Sequence, residues 1–522
     1  MKRSLAVLLC FLCSTAFAQL IDVQHYRFEL ELTDRSDAIT GKATIAIKML
    51  QDASRISFDL ASIDNDKGMY AFDVRDNGVA VHWVHEQDQL MIDLGTIAKK
   101  GELHSIEINY MGTPKDGLII AKNKHGDRTF FGDNWPNRAH NWIPCNDRPD
   151  DKASFEFFVT APEQYRVISN GLEMGEETLD GHRKRTHWRE NTPLSTKVMV
   201  IGVAHFAVKE FLDSPPGLPV TAWVYPQDSA NGFYDYGVAP SIVKFFSDYI
   251  APFPYRKLAN VQSKTIFGGM ENASAIFYSE ESVTGNRKWE DVLAHEIVHQ
   301  WFGDMASEKS FAHLWLSEGF ATYLTDIYIE KKYGKDSAAK RLAEARMAVI
   351  RFTQSNSHPI VDSTKDLLSL LNANSYEKGG WVLHMLRQEV GDSLFHRIIQ
   401  TYYKDFKGSN ADTRDFEAVA ERVTQKDLRW FFDQWLYRPG LPSLNSRVTE
   451  KNGELTVTII QKGEPYQLPL EIALVSADGT RVIKEVLVRT NEESFTFKVA
   501  GKTNVEIDPD HKLLLGEIIK TR

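Results

Sequence analysis

The chain has 522 residues, of which 43% are hydrophobic and 25% are charged, and this length and apolar content predict two to four domains with large cores. Its 71 acidic residues outnumber its 61 lysines and arginines, which gives a formal net charge of −10. Such an acidic balance argues against nucleic acid and against anionic membranes as partners.

The first eighteen residues have the pattern of a secretory signal peptide. A basic start at residues 1–3 precedes an apolar run at residues 5–13, and Ala-Phe-Ala at residues 16–18 supplies a cleavage site. The run is too short to span a membrane, and no later run approaches about twenty apolar residues, so we expect no integral membrane segment. The protein is therefore predicted to be exported, either periplasmic or secreted. A buried N-terminal helix is the alternative interpretation of this segment.

Cysteine usage fits an exported protein without disulfides. Two of the three cysteines lie in the predicted signal peptide, so Cys145 has no partner for an intrachain disulfide. We expect Cys145 to be a small buried side chain rather than a reactive thiol.

Residues 19–207 are predicted to form an N-terminal antiparallel β domain. Apolar and polar residues alternate with a period of two in segments such as 25–32, 44–49 and 105–110, with turn residues between the segments. His82 and His85 lie three residues apart in one such strand and point to opposite faces, so we do not expect them to bind a common ligand.

Residues 208–442 change to a helical period, and residues 443–522 return to alternation. The predicted helices cover residues 239–249, 288–302, 312–333, 377–390, 394–406, 413–423 and 427–436. The third helix should end in a basic last turn, with Gly334 as the residue that terminates it. Pro439 and Pro442 then interrupt the pattern, and the short strands that follow predict a small C-terminal β-sandwich. The predicted fold class is multidomain α+β.

The second predicted helix contains a metal-binding motif. His295 and His299 lie four residues apart, so their imidazoles project from one face, and Glu318 follows after eighteen intervening residues. Glu318 lies in an apolar segment, where a buried carboxylate without a partner would be unfavourable. Two histidines, one carboxylate and an open position predict a catalytic site for one Zn²⁺ per chain, with Glu296 as general base. The alternative is a helix with two hydrogen-bonded histidines and a solvated glutamate.

Together with this motif, Gly268-Gly269-Met270-Glu271-Asn272 resembles the aminopeptidase N family of zinc aminopeptidases. The resemblance extends to Ser375-Tyr376-Glu377-Lys378-Gly379, to the proline-bounded loop at residues 144–149 and to residues 508–510. It implies a thermolysin-like, mostly helical zinc catalytic domain at residues 208–442. The zinc motif alone is shared with endopeptidases, and the segment 268–272 is what favours an exopeptidase.

The resemblance also implies roles for the matched residues. Segment 268–272 would bind substrate: Glu271 would hold the free α-ammonium, while Gly268 and Gly269 would let the peptide backbone approach closely. Tyr376 would donate a hydrogen bond to the tetrahedral oxyanion. The predicted function is hydrolysis of the N-terminal bond of peptides with a free N-terminus by a monomeric zinc aminopeptidase. A zinc endopeptidase and a non-catalytic secreted binding protein on the same fold are the alternatives.

Three features depart from the family pattern. Many members have a second amine-binding Gln or Glu twelve residues before the loop aspartate, here Asp147, and this sequence has Trp135 at that position. Ser317 stands where Asn is common. The sequence also has no long helical domain after the small β domain, so the resemblance implies a compact, bacterial-type member with a more open cleft.

Overall fold

The computed structural model describes residues 19–521, so the predicted signal peptide lies outside the described residues. The first part of the described chain consists mainly of strands. These strands are β1 (Ile21–Glu31), β2 (Ile39–Met49), β3 (Ala53–Asp59), β4 (Gly68–Asp76), β5 (Val79–Ala80), β6 (His82–Glu86), β7 (Gln89–Ala98), β8 (Leu103–Thr113), β9 (Leu118–Lys122), β10 (Arg128–Gly132), β11 (Ala153–Pro162), β12 (Arg166–Ser169), β13 (Leu172–Leu179), β14 (Arg183–Leu194) and β15 (Ile201–Ala204). Buried and more exposed residues alternate along β1, β2 and β8, as the period of two predicts.

The largest sheet of this part is mixed, so the prediction of an antiparallel domain is wrong at one point. Its strand order is β13-β14-β11-β1-β2-β8-β4-β5, beside smaller sheets β12-β15-β10-β9 and β3-β7-β6. β1 pairs with β11 in parallel, with His25 opposite Ser154, whereas β1 and β2 are antiparallel. Alternation along a strand carries no information about the direction of its partner, and parallel partners are necessarily distant in sequence. Cys145 is fully buried near this sheet, as expected.

A five-stranded sheet precedes the metal-binding helices. The sequence analysis did not predict it, because it assigned a helical period to this region. Its strands are β16 (Ala207–Glu210), β17 (Val220–Val224), β18 (Leu258–Ser263), β19 (Gly269–Met270) and β20 (Ala275–Ser279), in the order β16-β17-β18-β20-β19. β17, β18 and β20 run parallel and are almost entirely buried, so they lack the alternation that marks a half-exposed strand. β19 forms the edge of the sheet and carries part of segment 268–272.

Helices dominate the rest of the central region. They are α1 (Ser229–Asp235), α2 (Ala239–Tyr249), α3 (Glu290–His299), α4 (Trp315–Tyr333), α5 (Lys335–Thr353), α6 (Gly379–Val390), α7 (Asp392–Phe406), α8 (Thr413–Thr424) and α9 (Arg429–Leu436), with the short parallel strands β21 (Ala306–Glu308) and β22 (Ser409–Ala411) between them. Each predicted helix is found, with ends shifted by at most three residues. α4 ends at Tyr333, and Gly334 follows with a φ of 91°, as predicted. Sequence reasoning missed α5.

The C-terminal residues form two further sheets. Their strands are β23 (Leu444–Lys451), β24 (Glu454–Gln461), β25 (Leu468–Ser476), β26 (Arg481–Val488), β27 (Glu492–Lys498), β28 (Thr503–Ile507) and β29 (Ile518–Thr521). The sheet orders are β27-β24-β23-β29 and β26-β25-β28. Within residues 19–521, no helix combines the length and the apolar character needed to cross a bilayer.

Candidate metal centre and substrate cavity

Helices α3 and α4 pack together and bring three metal-binding side chains to one point. Nε2 of His295 lies 3.1 Å from Nε2 of His299, and both nitrogens lie 3.3 Å from Oε2 of Glu318. Zinc bonds of about 2.0–2.1 Å in tetrahedral directions separate the ligand atoms by roughly 3.3 Å. The three atoms therefore have the mutual spacing that a tetrahedral metal site requires.

The electrostatics of this cluster favour a cation. Burial would lower the pKa of His299, but the carboxylates of Glu318, Glu271 and Glu296 outweigh burial and raise this pKa to about 10. Burial would likewise raise the pKa of Glu318, yet the two histidines hold it well below its usual value. A divalent cation satisfies the same demand for positive charge, and imidazole with carboxylate is a donor set that zinc prefers. The residues present therefore fit a zinc ion with one open position.

Contacts behind the ligands orient His299. Its Nδ1 lies 3.0 Å from the carbonyl oxygen of Phe302, so the ring donates there and leaves Nε2 free to bind a metal. Ser317 Oγ lies 3.1 Å from the same Nδ1. The serine that stands where the family commonly has Asn therefore contacts His299 on the side away from Nε2. Gly303, with a φ of 117°, leaves the room for this arrangement, because a Cβ there would collide with the Ser317 hydroxyl.

Glu296 lies between the two histidines on α3 and beneath the edge strand β19. The residue is 6% exposed, and burial raises its pKa well above the usual value for a glutamate. Gly269 passes directly over it, since a Cβ on Gly269 would overlap the Glu296 carboxylate. A side chain at this position would displace the Glu296 carboxylate, so the glycine follows from packing as well as from substrate approach.

Glu271 lines the same cavity, and one of its carboxylate oxygens has no partner among the described residues. The residue is 5% exposed, its Oε1 has no hydrogen-bond partner within residues 19–521, and burial raises its pKa. Gln300 fixes the backbone at this point, because its Nε2 donates to the carbonyl oxygen of Glu271 at 2.7 Å and its Oε1 accepts from the backbone N–H of Ser274 at 2.7 Å. A buried acceptor without a donor is unfavourable, so the site favours a ligand that supplies one.

Tyr376 lies in a π-helical turn, Asn374–Lys378, immediately before α6. Its ring stacks on that of His295 with the centroids 5.9 Å apart. Burial, followed by the negative charge of Glu318, raises the pKa of Tyr376 well above its usual value. The hydroxyl therefore stays protonated near neutral pH and can act as a hydrogen-bond donor. Turns of this type recur at functional sites.

The cavity has a volume of about 430 Å³, and most of the predicted site residues line it. Gly268, Gly269, Met270 and Glu271 reach the cavity, but Asn272 does not line it and is fully buried.

Sequence reasoning missed several cavity residues. Arg341 of α5 donates to Asp326 at 2.6 Å and to Asp291 at 2.8 Å, and Phe267 forms an apolar wall with Trp135. The alanine-rich composition of α5 could have revealed a helix, but nothing in the sequence shows that Arg341 points at the metal site.

Comparison with protein families matches two consecutive parts of the chain. Residues 22–198 match the peptidase M1 N-terminal domain, and residues 234–435 match the peptidase family M1 domain. Among curated proteins, glutamyl aminopeptidase of Rattus norvegicus is 26% identical over 404 residues, which are 73% of this chain and 42% of that protein. Probable aminopeptidase 1 of Sulfurisphaera tokodaii is 25% identical over 509 residues, which are 93% of this chain and 62% of that protein. The chain thus spans less than half the length of the glutamyl aminopeptidase.

Solved structures share the fold. An M1 zinc metallopeptidase from Deinococcus radiodurans has a TM-score of 0.71 at 24% identity, covering 81% of this chain and 94% of that chain. Legionella pneumophila aminopeptidase A in complex with aspartic acid has a TM-score of 0.84 at 18% identity, covering 97% of this chain and 60% of that chain. With both M1 domains matched in succession and the three metal-binding side chains assembled between α3 and α4, the chain belongs to peptidase family M1.

Proposed function

We propose that this protein is a zinc aminopeptidase that hydrolyses the first peptide bond of peptides with a free N-terminus. The observation that carries the proposal is the unpartnered Oε1 of Glu271 in the same cavity as the three metal-binding side chains. A carboxylate there offers an α-ammonium a charge-assisted hydrogen bond. An enzyme that cleaves chains internally would meet no such ammonium and would leave this oxygen without a partner.

The chain's own residues supply binding and proton transfer. His295, His299 and Glu318 would hold the metal, and zinc, when bound, supplies a Lewis acid that makes water a good nucleophile near neutral pH. Glu296 accepts a proton from the attacking water and later delivers it to the leaving amine. Its raised pKa suits both steps, because the carboxylate must bind the proton firmly enough to carry it.

Glu271 and Tyr376 position the substrate around this centre. Glu271 fixes the amino end of the peptide, so the carbonyl of the first residue reaches the metal ligands and the first bond is the one cleaved. Tyr376 remains protonated because burial raises its pKa, so its hydroxyl can donate to the oxygen on which negative charge develops.

The decisive experiment compares a peptide that has a free amine with its N-acetylated twin. The zinc-loaded mature protein should release the first residue of the free peptide and leave the blocked one intact, and Glu271→Ala should lose this activity while keeping its metal. Internal cleavage of the blocked peptide would identify an endopeptidase instead. Binding of the free peptide without cleavage, at full metal content, would identify a binding protein.

Glu296→Gln tests the general base separately. We expect kcat to fall by about 10²–10⁴-fold, because an amide cannot accept the proton. Metal analysis should show the same zinc content as the wild type, since Glu296 is not a ligand. Activity at the wild-type level in the folded, zinc-loaded variant would contradict this role.

Export and assembly complete the proposal. The pattern of residues 1–18 supports cleavage before Gln19 and a periplasmic or secreted location. We propose that the mature protein is a monomer with domains at residues 19–207, 208–442 and 443–522. The two sheets formed by β23 to β29 support a small β-sandwich as the last domain. N-terminal sequencing of the exported protein and light scattering in solution test the cleavage site and the monomer.

A further inference from the structure

We propose that Gln300 is a positioning residue that holds Glu271 at its distance from the metal-binding side chains and thereby sets how strongly the enzyme prefers a free N-terminus. This inference rests on the proposed function, because it concerns the hold on the proposed amine-binding carboxylate. Gln300 directly follows the metal-binding His299 and is fully buried. Its side chain is not among those that line the cavity, so it acts through the residues to which it hydrogen-bonds.

The side-chain amide of Gln300 has one orientation that satisfies its partners. Its Nε2 donates to the carbonyl oxygen of Glu271 at 2.7 Å and to Oδ2 of Asp304 at 3.0 Å, and its Oε1 accepts from the backbone N–H of Ser274 at 2.7 Å. A carbonyl oxygen can only accept and a backbone N–H can only donate, so turning the amide over would break both bonds to the backbone. All three contacts are buried, where a hydrogen bond left unmade is unfavourable.

Glu271 lies just beyond the strand that precedes it. β19 ends at Met270, whose partner in the ladder is Phe277, so the ladder of β19 and β20 does not extend to Glu271. The bond from Gln300 to the carbonyl oxygen of Glu271 therefore continues the hold on the backbone where the ladder stops. Without this bond the buried carbonyl would lack its donor, and we expect the backbone to shift in order to recover one.

The other end of this segment has further anchors. Ser274 has a φ of 60°, a left-handed conformation that is uncommon for a residue with a side chain. Its carbonyl oxygen accepts from Nζ of Lys257 at 2.9 Å, and its hydroxyl accepts from the backbone N–H of Gly171 at 2.8 Å. Removal of the Gln300 amide therefore leaves Ser274 held by these contacts, and we expect the resulting movement to fall mainly on Glu271.

One side chain thus connects the end of α3, which carries two metal-binding histidines, with the backbone that carries the proposed amine site. A charge-assisted hydrogen bond weakens steeply when its distance or angle departs from the optimum. A shift of Glu271 relative to His299 should therefore weaken the binding of the α-ammonium. The metal site should persist, because His299 keeps its own contacts with Phe302 and Ser317.

The test measures the free-amine preference, defined as the ratio of the dissociation constant of N-acetyl-Leu-Ala to that of Leu-Ala. Calorimetric titration of the zinc-loaded Glu296→Gln variant gives both constants under conditions of minimal turnover. We expect Gln300→Met in this background to lower the preference by about 10-fold, because methionine keeps the length of the side chain but loses the amide. Metal analysis should show unchanged zinc content. An unchanged preference in the folded, zinc-loaded variant would overturn the inference.

Gln262→Met in the same background is the matched control. Gln262 is also a fully buried glutamine, whose Oε1 accepts from the backbone N–H of Tyr225 at 3.0 Å and whose Nε2 donates to the carboxylate of Asp228 at 2.7 Å. Gln262 does not line the cavity, so its loss should lower stability and leave the free-amine preference unchanged. An equal fall of the preference in both variants would reveal a general effect of losing a buried amide, and the inference would be wrong.

A double-mutant cycle separates the positioning of Glu271 from a general structural role. Glu271→Ala removes the carboxylate, so adding Gln300→Met to it should lower the free-amine preference no further. A further fall would show that Gln300 acts on another group and would contradict the inference. If Gln300→Met does not fold, Gln300→Glu keeps the size of the side chain but places an oxygen against the carbonyl oxygen of Glu271. This variant should lower the preference in the same direction, and an unchanged preference would again contradict the inference.

The same titrations distinguish this inference from the proposed function. Equal binding of the two peptides by the Glu296→Gln parent would mean that the cavity does not recognise the amine, and both the proposed function and the inference would be wrong. A preference in the parent that Gln300→Met leaves intact would overturn the inference alone.

Discussion

At the scale of single residues, Tyr376 offers a test of the proposed oxyanion site. Tyr376→Phe removes only the hydroxyl and keeps the ring that stacks on His295. Because one such donor is typically worth about 3 kcal/mol in the transition state, we expect kcat to fall by about 10²–10³-fold. KM and zinc content should change little, since the hydroxyl acts on charge that develops only during the reaction. Steady-state kinetics measure kcat and KM, and metal analysis measures the zinc content.

A change in KM with unchanged kcat would contradict this assignment, because it would mean that the hydroxyl binds the ground state. Tyr333→Phe provides the control. Its hydroxyl donates to Glu290 on the protein surface, so its removal should leave kcat unchanged.

The sequence predicted those site residues whose relation is local or contained in a motif. His295 and His299 share a helical face because they lie four residues apart, and the structure brings Glu318 to them as the apolar context suggested. The contacts of Trp135 with Phe267 join residues 132 positions apart, and no pattern along the chain encodes them. Sequence reasoning therefore identified the proposed reacting groups and singled out Trp135, but it did not reveal the contact of Trp135 with Phe267.

At the scale of elements, α4 and the turn that carries Tyr376 are joined by a close contact between backbones. A Cβ on Gly319 would lie 2.9 Å from the backbone of Gly379 and 3.2 Å from the carbonyl oxygen of Ser375. Gly319 directly follows Glu318, and Ser375 directly precedes Tyr376. The glycine contact therefore sets the distance between a metal ligand and the proposed oxyanion donor.

Gly319→Ala should separate these elements. We expect the free energy of unfolding to fall by about 1–3 kcal/mol, because backbone atoms cannot move aside as the end of a flexible side chain would. Thermal unfolding of the zinc-loaded protein measures the loss, and kcat should fall with it as Tyr376 moves away. Gly501→Ala is the matched control, since a Cβ at Gly501 meets no atom within 4 Å and its backbone conformation is not restricted to glycine. If Gly319→Ala and Gly501→Ala were equally stable, the contact of Gly319 with Gly379 would have room for a methyl group, which would contradict this prediction.

The elements that the sequence revealed are those with a strong local pattern. α2 was predicted with its observed ends because its apolar residues recur on one face. β18 and β20 were missed because buried parallel strands have no polar face, so their apolar runs resemble buried helices. The parallel pairing of β1 with β11, like the contact of Trp135 with Phe267, joins residues that are distant in sequence. No pattern along the chain therefore predicts it.

At the scale of the whole molecule, two lysines of the N-terminal domain contact the segment that follows the metal-binding helix α3. Lys197 pairs with Glu308 of β21 at 2.5 Å, and both side chains are almost completely buried. Lys152 donates to the carbonyl oxygens of Asp304 and Met305 at 3.1 and 2.9 Å, and burial lowers the pKa of Lys152 to about 7. These contacts join the domain that carries Trp135 to the segment that follows the metal-binding helix α3.

Removing one partner of the ion pair of Lys197 and Glu308 should lower the free energy of unfolding strongly. Replacing both partners by apolar residues should change it little. Lys197→Met leaves Glu308 buried without a counter-ion, and Glu308 Oε2 already has no hydrogen-bond partner among the described residues. We expect this variant to lose about 3–5 kcal/mol of unfolding free energy, and the double variant Lys197→Met with Glu308→Leu to recover most of the loss. Urea unfolding of the zinc-loaded proteins measures both values.

The two lysines give this prediction an internal comparison. Lys152→Met removes three hydrogen bonds to carbonyl oxygens but leaves no charge unpaired, so it should cost less than Lys197→Met does. If the double variant is as unstable as Lys197→Met, the loss arises from packing rather than from an unpaired carboxylate. If instead the double variant recovers stability but loses kcat, the pair contributes to the electrostatic environment of Glu271. Burial lowers the pKa of Lys197, but the charges of Glu308 and Glu271 outweigh burial and raise this pKa.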